Sequence, residues 1–405
     1  MRILVSYIAV GRGGDAVQLM ALIDVLREKG HEVFLAGAHP IAPYESETAG
    51  ARIRDLIRRL PWWGRDLLEL VLCLVSAWRA HRIGRRERVD LLVHRAGVYD
   101  FFAGYLAKSL RIPMVLYLDA HVSAERGFRG QSYWRSMHTW AMRTLGRSAV
   151  VIVTPSRSVA DYYCGLGLPA NKVVVQRNGV RERHLRMGLE LTEAHLPFGN
   201  HETCTIGFVG SLARWHRLDT LLDALRLLND RRRPARDGPM ETDRRYRLVV
   251  IGRGEEYKNL REHARRIGLD EVVEWRGALS HDDAVQSMRE FDIAVLPDTL
   301  TTGTPMKLQE YAAMGRPIIA PDLPNIRDMF TPGLEINLVR SGDAIALAQA
   351  IRMLAANVAL AQHMGRAAQA RASEHTWEAV ADLLLRACGS QHSELSTVSD
   401  SVTLK

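Results

Sequence analysis

Cysteine is scarce in this 405-residue chain, and its four cysteines lie far apart. They are Cys73, Cys164, Cys204 and Cys388, with no C-x-x-C pair and no histidine at zinc-site spacing. This pattern excludes a disulfide framework or a structural zinc site as the basis of the fold. It fits a reducing compartment, and we expect the cytoplasm.

Long apolar runs and low-complexity segments are also missing. No run reaches the roughly 18 apolar residues of a membrane-spanning helix. The opening MRILVSYIAV leads directly into a strand-like pattern, so we do not expect a signal peptide. With 47% hydrophobic and 25% charged residues, the chain can build two cores and is not mainly disordered.

Lysine is scarce too, although the chain is basic. The 54 Lys+Arg residues outnumber 46 Asp+Glu, and only six of the 54 are lysine. Arginine binds phosphate groups well, but the charge alone does not choose among nucleic acid, an anionic membrane and a phosphorylated small molecule. Because no basic recognition helix or stacking-aromatic sheet pattern is present, we do not expect nucleic acid as a partner.

Strand-like and helix-like segments alternate through two halves, which predicts an α/β fold of two doubly wound domains. Residues 1–183 form the expected N-terminal domain, and 204–373 the second. Residues 184–203 resemble an irregular linker. A helix at about 374–388 is expected to cross back to the first domain, and the Ser-rich tail 389–405 is predicted to be disordered.

Several motifs follow predicted strands, where open parallel sheets bind ligands. GRGGD follows the first strand, GSLARWHR follows the first strand of the second half, and IGRGEE follows the next. TTGTPMKLQE precedes a helix. These segments therefore mark the candidate binding edge of each sheet.

The second-half segments IGFVGSLARWHRLDTLLDAL, VVIGRGEEYKNL and PMKLQEYAAMGRPIIAPDLPNIRDM resemble the donor-binding half of the GT-B, family-4-type retaining glycosyltransferases. RNGV and VTPSRSVADYYCGLGLPANKVVV resemble the end of their N-terminal domain. The resemblance implies two Rossmann-like domains facing a cleft. It also implies transfer of a sugar from a UDP- or GDP-linked donor, with retained configuration and with no metal or other cofactor.

The helix after TTGTP carries the main donor-site candidates. A helix N-terminus favours an anion, so Lys307 there can pair with the diphosphate, and Glu310 can accept both ribose hydroxyl protons. The alternative is an ordinary i,i+3 surface pair. The family's first glutamate would fall on Thr302, which cannot act as a carboxylate. The other candidates for donor contact in this segment are Gly303, Thr304, Pro305, Met306 and Leu308.

Gly210 ends a predicted buried strand and would let the donor approach the backbone. The family places an arginine, then a Lys-Gly pair, after this glycine. The resemblance puts Ser211, His216 and Arg217 at those three places. Arg214 or Arg217 is then the candidate replacement cation, unless both are solvated loop arginines.

The segment after the next strands is the candidate for binding the base. Gly277 and Leu279 resemble the family's backbone cup for the base, which does not select uracil over guanine. Arg253 lies either near the phosphates or simply at a turn, and we favour the turn.

The first half is expected to hold the acceptor. Gly13 and Gly14 belong to a Gly-rich turn that is either a phosphate loop or a tight strand–helix connection. Asp119 and His121 follow a strand. Asp119 can orient or deprotonate the acceptor hydroxyl, and His121 can bond to the donor sugar. The alternative is a helix-starting aspartate and a structural histidine.

Residues 51–88 combine arginines, tryptophans and an apolar run. Such a segment suits docking on an anionic membrane, although an ordinary buried helix with a basic end is equally consistent. The residues assigned to the membrane are Arg58, Arg59, Trp62 and Trp63.

We therefore predict a retaining glycosyltransferase that acts on a lipid-linked glycan intermediate in cell-surface polysaccharide synthesis, peripheral to the inner face of the membrane. Two alternatives stay open. One is a glycosyltransferase with a soluble natural-product acceptor, and the other is an inactive GT-B binding or scaffold protein.

Overall fold

A computed structural model describes residues 1–8, 14–37, 60–119, 133–190, 202–230, 244–301 and 303–389. The chain divides into two compact units. The first consists of Met1–Asn178 together with Trp377–Lys405, and the second of Gly179–Thr376.

The first unit is an α/β structure with a parallel sheet. Its strands are β1 (Arg2–Tyr7), β2 (Glu32–Gly37), β3 (Leu91–Arg95), β4 (Met114–Tyr117), β5 (Val151–Thr154) and β6 (Val173–Val175). Its helices are α1 (Gly14–Glu28), α2 (Trp62–Glu87), α3 (Phe102–Leu110), α4 (Arg135–Ser148) and α5 (Arg157–Gly165), with the chain-terminal α14 (Trp377–Gly389).

The strand order of this sheet is β2-β1-β3-β4-β5-β6, and neighbouring strands pair in parallel. Near-continuous apolar strands such as β1 are buried on both faces, as parallel sheets covered by helices require. Helix α14, expected at about 374–388, packs against α1 and buries Trp377 in this unit.

Helix α2 turns small and polar side chains toward the sheet. Its buried residues include Asp66, Cys73, Ser76 and Gly84. The Ser76 hydroxyl donates to the Tyr7 carbonyl over 2.8 Å, and a Cβ on Gly84 would overlap the Leu110 side chain. Ser76 therefore brings the helix close to β1, and Gly84 brings it close to α3. Several large apolar residues of α2, including Leu67, Leu74 and Trp78, lie on its exposed side.

The second unit repeats the alternation. Its strands are β7 (Thr203–Val209), β8 (Arg245–Ile251), β9 (Val273–Gly277), β10 (Ile293–Val295), β11 (Ile318–Pro321) and β12 (Asn337–Val339). Its helices are α6 (Glu182–Leu189), α7 (Leu218–Asn229), α8 (Tyr257–Arg266), α9 (His281–Ser287), α10 (Met306–Ala313), α11 (Pro324–Arg327), α12 (Ala344–Ala356) and α13 (Val358–Ser373).

The order β12-β11-β10-β7-β8-β9 is the Rossmann order, with parallel pairing throughout. The chain starts in the middle at β7, moves outward through β8 and β9, and returns to β10 on the other side. The carboxyl ends of β7 and β10 therefore form the topological switch point, where this fold binds ligands.

One expectation about the domain connection needs correction. We predicted an irregular linker over 184–203, but residues up to Leu189 form helix α6, which belongs to the second unit. His184, Leu185 and Gly188 make one buried face of this short helix. The helix packs closely against α10, because a Cβ on Gly188 would overlap the Ala313 carbonyl. Residues 191–201 lie outside the described residues.

Candidate functional site

Three glycines line the carboxyl ends of β7, β8 and β9. Gly210, Gly252 and Gly277 have φ values of +146°, +140° and +71°, which side-chain-bearing residues rarely adopt. Gly210 N donates to Ile251 O over 2.9 Å, and Gly252 N donates to Gly277 O over 2.7 Å. This edge of the sheet consequently presents backbone that a ligand can approach closely.

Lys307 places its ammonium group at the switch point. The residue lies in the first turn of α10, and its Nζ is 3.0 Å from His216 Nε2 and 4.8 Å from the centroid of the Phe208 ring. A Cβ on Gly210 would overlap this ammonium and lie 2.9 Å from Lys307 Cε. The absence of a side chain at Gly210 is therefore what gives Lys307 its position.

His216 fixes the direction of the bond to Lys307. Its Nδ1 lies 3.1 Å from the carbonyl oxygen of Asp298, which can only accept, so Nδ1 carries the hydrogen. Burial and the nearby Lys307 charge hold the His216 pKa well below its usual value. The imidazole is consequently neutral, and its Nε2 accepts a hydrogen from the Lys307 ammonium.

Burial also makes the Lys307 charge costly. Desolvation lowers the pKa of Lys307 to about 7, against the opposing attraction of Glu310. Pro305, the residue that precedes α10, gives no side-chain cap to the helix. The first-turn N–H groups and this ammonium together form a site suited to an anion.

Glu310 lies one turn further along α10 and is almost fully buried. Its Oε1 accepts a hydrogen bond of 2.7 Å from Nε2 of His281, the first residue of α9. Burial alone would raise the Glu310 pKa, but the charge and hydrogen bond of His281, together with His184 and Lys307, bring it below the usual value. Glu310 is therefore ionised, which makes it an acceptor for hydroxyl groups.

The remaining candidates of the second unit divide by exposure. Ser211, Arg214 and Arg217 are exposed, and Arg217 pairs with Asp219 at 3.6 Å. Leu308 is fully buried in the core, so only its backbone can meet a ligand. Met306 is buried, and the half-buried candidates are Leu279, Gly303, Thr304 and Pro305. Arg253 is exposed at the turn after β8, where its carbonyl accepts a hydrogen bond from Leu212 N.

The acceptor candidates of the first unit are only partly described. Asp119 follows β4, and its Oδ2 accepts a hydrogen bond from Arg95 Nε in a mostly buried ion pair. Gly14 is the first residue of α1. The predicted residues outside the described part of the chain are Gly13, Arg58, Arg59, His121 and Thr302.

Helix α2 carries an exposed apolar stripe. Trp62 and Trp63 are 42% and 53% exposed. Residues spaced by four, three and four positions share one face of a helix, and here they are large, apolar and 48–60% exposed: Leu67, Val71, Leu74 and Trp78. Beyond them come exposed arginines at 82, 85 and 86. We call Trp62, Trp63, Leu67, Val71, Leu74 and Trp78 the α2 stripe.

Within the described residues, no single helix is long and apolar enough to span a membrane. The pair α12 and α13 meets the length and composition test together, but it is bent by 101°. Its apolar side chains, including Leu347, Ile351 and Leu354, belong to the core of the second unit.

One side-chain group has the spacing of a metal site. His184, His281 and Asp282 bring one ligand atom each within 4.8 Å of one another. The Arg183 guanidinium, however, donates to the same Asp282 oxygen as His184 does, over 2.7 Å and 2.9 Å. A cation next to that guanidinium would be repelled, so the group fits a hydrogen-bonded cluster better than a metal centre.

Sequence reasoning missed His281, His184 and the Asp298 carbonyl. His281 had one usable signal, since it follows Ser280, a typical N-cap residue, directly after a strand end. His184 had none, because it lies in the segment that we took for a linker.

The chain is an α/β protein whose Rossmann-ordered sheet has glycines and an ammonium group at its switch point, an arrangement typical of nucleotide-binding proteins. Comparison of the sequence with models of known protein families identifies the family. Residues 12–183 match the model of Glycosyltransferase Family 4, and residues 203–357 match the model of Glycosyl transferases group 1. The chain belongs to the family-4, group 1 glycosyltransferases, as its sequence motifs predicted.

Among curated proteins, the chain is 30% identical over 169 residues to phosphatidyl-myo-inositol mannosyltransferase of Mycobacterium leprae, covering 42% of this chain and 41% of the relative. It is 26% identical over 191 residues to the UDP-N-acetylglucosamine–N-acetylmuramyl-(pentapeptide) pyrophosphoryl-undecaprenol N-acetylglucosamine transferase of Amoebophilus asiaticus, covering 45% and 46%. The chain thus spans less than half the length of these relatives.

A solved structure matches the whole chain. Anabaena HepE, in complex with UDP and glucose, superposes with a TM-score of 0.66 at 16% identity, covering 99% of this chain and 100% of HepE. At this identity the likeness concerns the fold alone. It confirms the predicted two-domain α/β fold of the GT-B type.

Proposed function

We propose that this chain is a retaining glycosyltransferase that moves a sugar from a nucleoside-diphosphate sugar to an acceptor hydroxyl, without a metal ion. The observation that carries the proposal is the Lys307 ammonium beside Gly210 at the switch point of the second sheet. Breaking the sugar–phosphate bond leaves negative charge on the diphosphate, and fixed positive groups stabilise that charge in the transition state.

Lys307 replaces the lysine that the family carries after the glycine of β7. His216 occupies that place in this sequence, and the Lys307 Nζ lies 3.0 Å from its ring. In this proposal the Lys307 ammonium takes over the role of the family's lysine from a different element. In this proposal Lys307 and the first turn of α10 bind the diphosphate, and the exposed Arg214 and Arg217 are not required.

Glu310 binds the ribose in this proposal. Its ionised carboxylate accepts hydrogen bonds from the two ribose hydroxyls, while backbone groups around Gly277 and Leu279 contact the base. The donor is UDP-linked or GDP-linked. HepE was solved with UDP, which supports UDP as the first nucleotide to test.

The acceptor that we propose is lipid-linked, as in the synthesis of cell-surface polysaccharides. The curated relatives are named for phosphatidyl-myo-inositol and for a pyrophosphoryl-undecaprenol acceptor. The α2 stripe, followed by arginines, gives this chain its own means of docking on the cytoplasmic face of an anionic membrane. Asp119, steadied by Arg95, is the proposed residue that orients the acceptor hydroxyl, with His121 as its neighbour in sequence.

A donor screen tests this function. Purified protein is incubated with UDP- and GDP-sugars and a polyprenyl-diphosphate-linked sugar, and products are followed by mass spectrometry, with the anomeric configuration read by NMR. We expect a retained product whose formation persists in EDTA, and a loss of about 100-fold or more in Lys307→Met. Failure of every donor to bind or react would instead support an inactive scaffold.

A further inference from the structure

His281 links the nucleotide-site carboxylate to a second helix. On one side, its Nε2 donates to Glu310 Oε1 over 2.7 Å. On the other side, its ring meets the His184 ring edge to face, with centroids 5.3 Å apart and an interplanar angle of 71°. The His281 side chain is only 27% exposed, and that of Glu310 is 9% exposed. The imidazole is thus held from both sides.

Both neighbours of His281 are themselves fixed. His184 is buried on α6 and donates to Asp282 Oδ1, which also accepts from Arg183. Ser280 caps α9 by accepting from Asp283 N, which fixes the first turn that carries His281. Because α6 packs against α10 at Gly188, His184 and Glu310 lie on two helices in direct contact.

The charges around His281 favour an imidazolium–carboxylate pair. The groups that face it are Glu310 from α10, His184 and Arg183 from α6, and Asp282 on its own helix. Burial and Arg183 lower the pKa of His281, but Glu310 and Asp282 raise it by more, so the net shift is upward. Burial lowers the pKa of His184, so His281 is the member of the ring pair that carries a charge more readily.

We propose that His281 is a positioning residue for Glu310: it occupies Oε1 of the carboxylate and so presents the other oxygen to the ribose hydroxyls of a nucleoside diphosphate. This inference rests on the proposed function. A carboxylate without this partner could rotate or take up a proton, and either change would weaken its hold on a ribose diol. The diphosphate is bound by Lys307, so His281 acts on diphosphate binding only indirectly, through the charge of Glu310.

In this proposal Glu310 binds the ribose and Lys307 binds the diphosphate, so the two contributions can be measured separately. Calorimetry measures the dissociation constants of UDP, 2′-deoxy-UDP and inorganic pyrophosphate for the wild type, His281→Leu and His281→Gln. We expect the wild type to prefer UDP over 2′-deoxy-UDP by about tenfold, the worth of a charged hydrogen bond. In His281→Leu the preference should fall close to one, while the affinity for pyrophosphate, which has no ribose, should change much less. His281→Gln, which keeps an N–H donor, should restore much of it.

A matched control is available in the same unit. His263 Nε2 lies 2.8 Å from Asp223 Oδ1, which makes a similar imidazole–carboxylate pair between α8 and α7. His263→Leu should leave the ribose preference intact. In Glu310→Gln the preference should already be lost, and adding His281→Leu should cost nothing more.

The outcomes separate the two proposals. If the wild type prefers UDP over 2′-deoxy-UDP and His281→Leu keeps the full preference, the positioning role is refuted while the proposed function stands. If the wild type binds neither UDP nor GDP, both proposals fail. If His281→Leu does not fold, the double variant His281→Gln with Glu310→Gln decides. Positioning through Glu310 predicts no loss beyond that of Glu310→Gln alone, and an additional loss refutes the positioning role.

Discussion

The α2 stripe yields a quantitative prediction for membrane binding. Fully burying a large apolar side chain gains about 1.5–3 kcal/mol. Leu67, Leu74 and Trp78 are 49%, 52% and 60% exposed, so roughly half of that gain is left for a lipid surface to supply. Burying the exposed halves of these three side chains in lipid should therefore contribute about 3 kcal/mol to membrane binding. This energy corresponds to roughly 100-fold in the partition coefficient between vesicles and water.

The perturbation is the triple substitution Leu67→Ser, Leu74→Ser and Trp78→Ser. It leaves the side of α2 that faces the sheet intact, which carries Asp66, Cys73 and Ser76. Because each replaced side chain is about half buried, the variant should lose some stability, so its folding is checked by circular dichroism before the assay. The assay is co-sedimentation with vesicles that contain anionic phosphatidylglycerol, and with neutral vesicles, at several salt concentrations. Binding should weaken with salt, because the arginines at 82, 85 and 86 contribute by charge.

The matched control removes exposed apolar side chains from the second unit. Leu189, Leu334 and Ile345 are 67%, 45% and 60% exposed but form no shared helical face. Replacing these three by serine should leave vesicle binding unchanged. If the stripe variant binds as tightly as the wild type, α2 does not dock on lipid, and a soluble acceptor becomes the better reading.

Two further predictions concern the diphosphate site. Gly210→Ala should lower turnover by about 100-fold, because its Cβ would displace the Lys307 ammonium. The control is Gly268→Ala, which also adds a side chain at a positive φ (+74°) but whose Cβ meets nothing within 4 Å; equal kinetics in both would contradict the assignment. Donor affinity, measured by calorimetry across pH, should fall as pH rises through about 7, by up to about tenfold per unit, because the anion needs Lys307 protonated. In this pH range His216 stays neutral and Glu310 stays ionised. The variant Lys307→Arg stays charged, so its affinity should depend much less on pH. An unchanged slope in that variant would refute the role of Lys307.

The alternation of strands and helices, and the place of Lys307 and Glu310 on one helix, could be predicted from the sequence. Apolar strand runs and the Gly-Arg-Pro sequence at 315–317 are local signals, and local signals are enough to predict the order of helices and strands. The family resemblance then supplied the topology. Helix α6 was missed because it is short and mostly polar, so its buried face at His184, Leu185 and Gly188 gives little periodic signal.

The partners of the site residues could not be predicted in the same way. Lys307 meets His216, 91 positions away, only because the Rossmann order brings β7 beside β10. The exposed face of α2 could not be predicted from the sequence either. Its sequence shows apolar residues at helical spacing, which usually indicates a core-facing side. Only the structure shows that Asp66 and Ser76 face inward while Leu67 and Leu74 face out.

Helix α14 has a consequence for how the protein is made. Trp377, Val380 and Leu384 complete the core of the first unit, yet they follow the whole second unit in the chain. At about 5–20 residues per second, the ribosome needs roughly 10–40 s to add the 198 residues of Gly179–Thr376. The second unit can therefore finish folding first, while the nascent first unit keeps the surface of α1 uncovered until synthesis reaches Trp377.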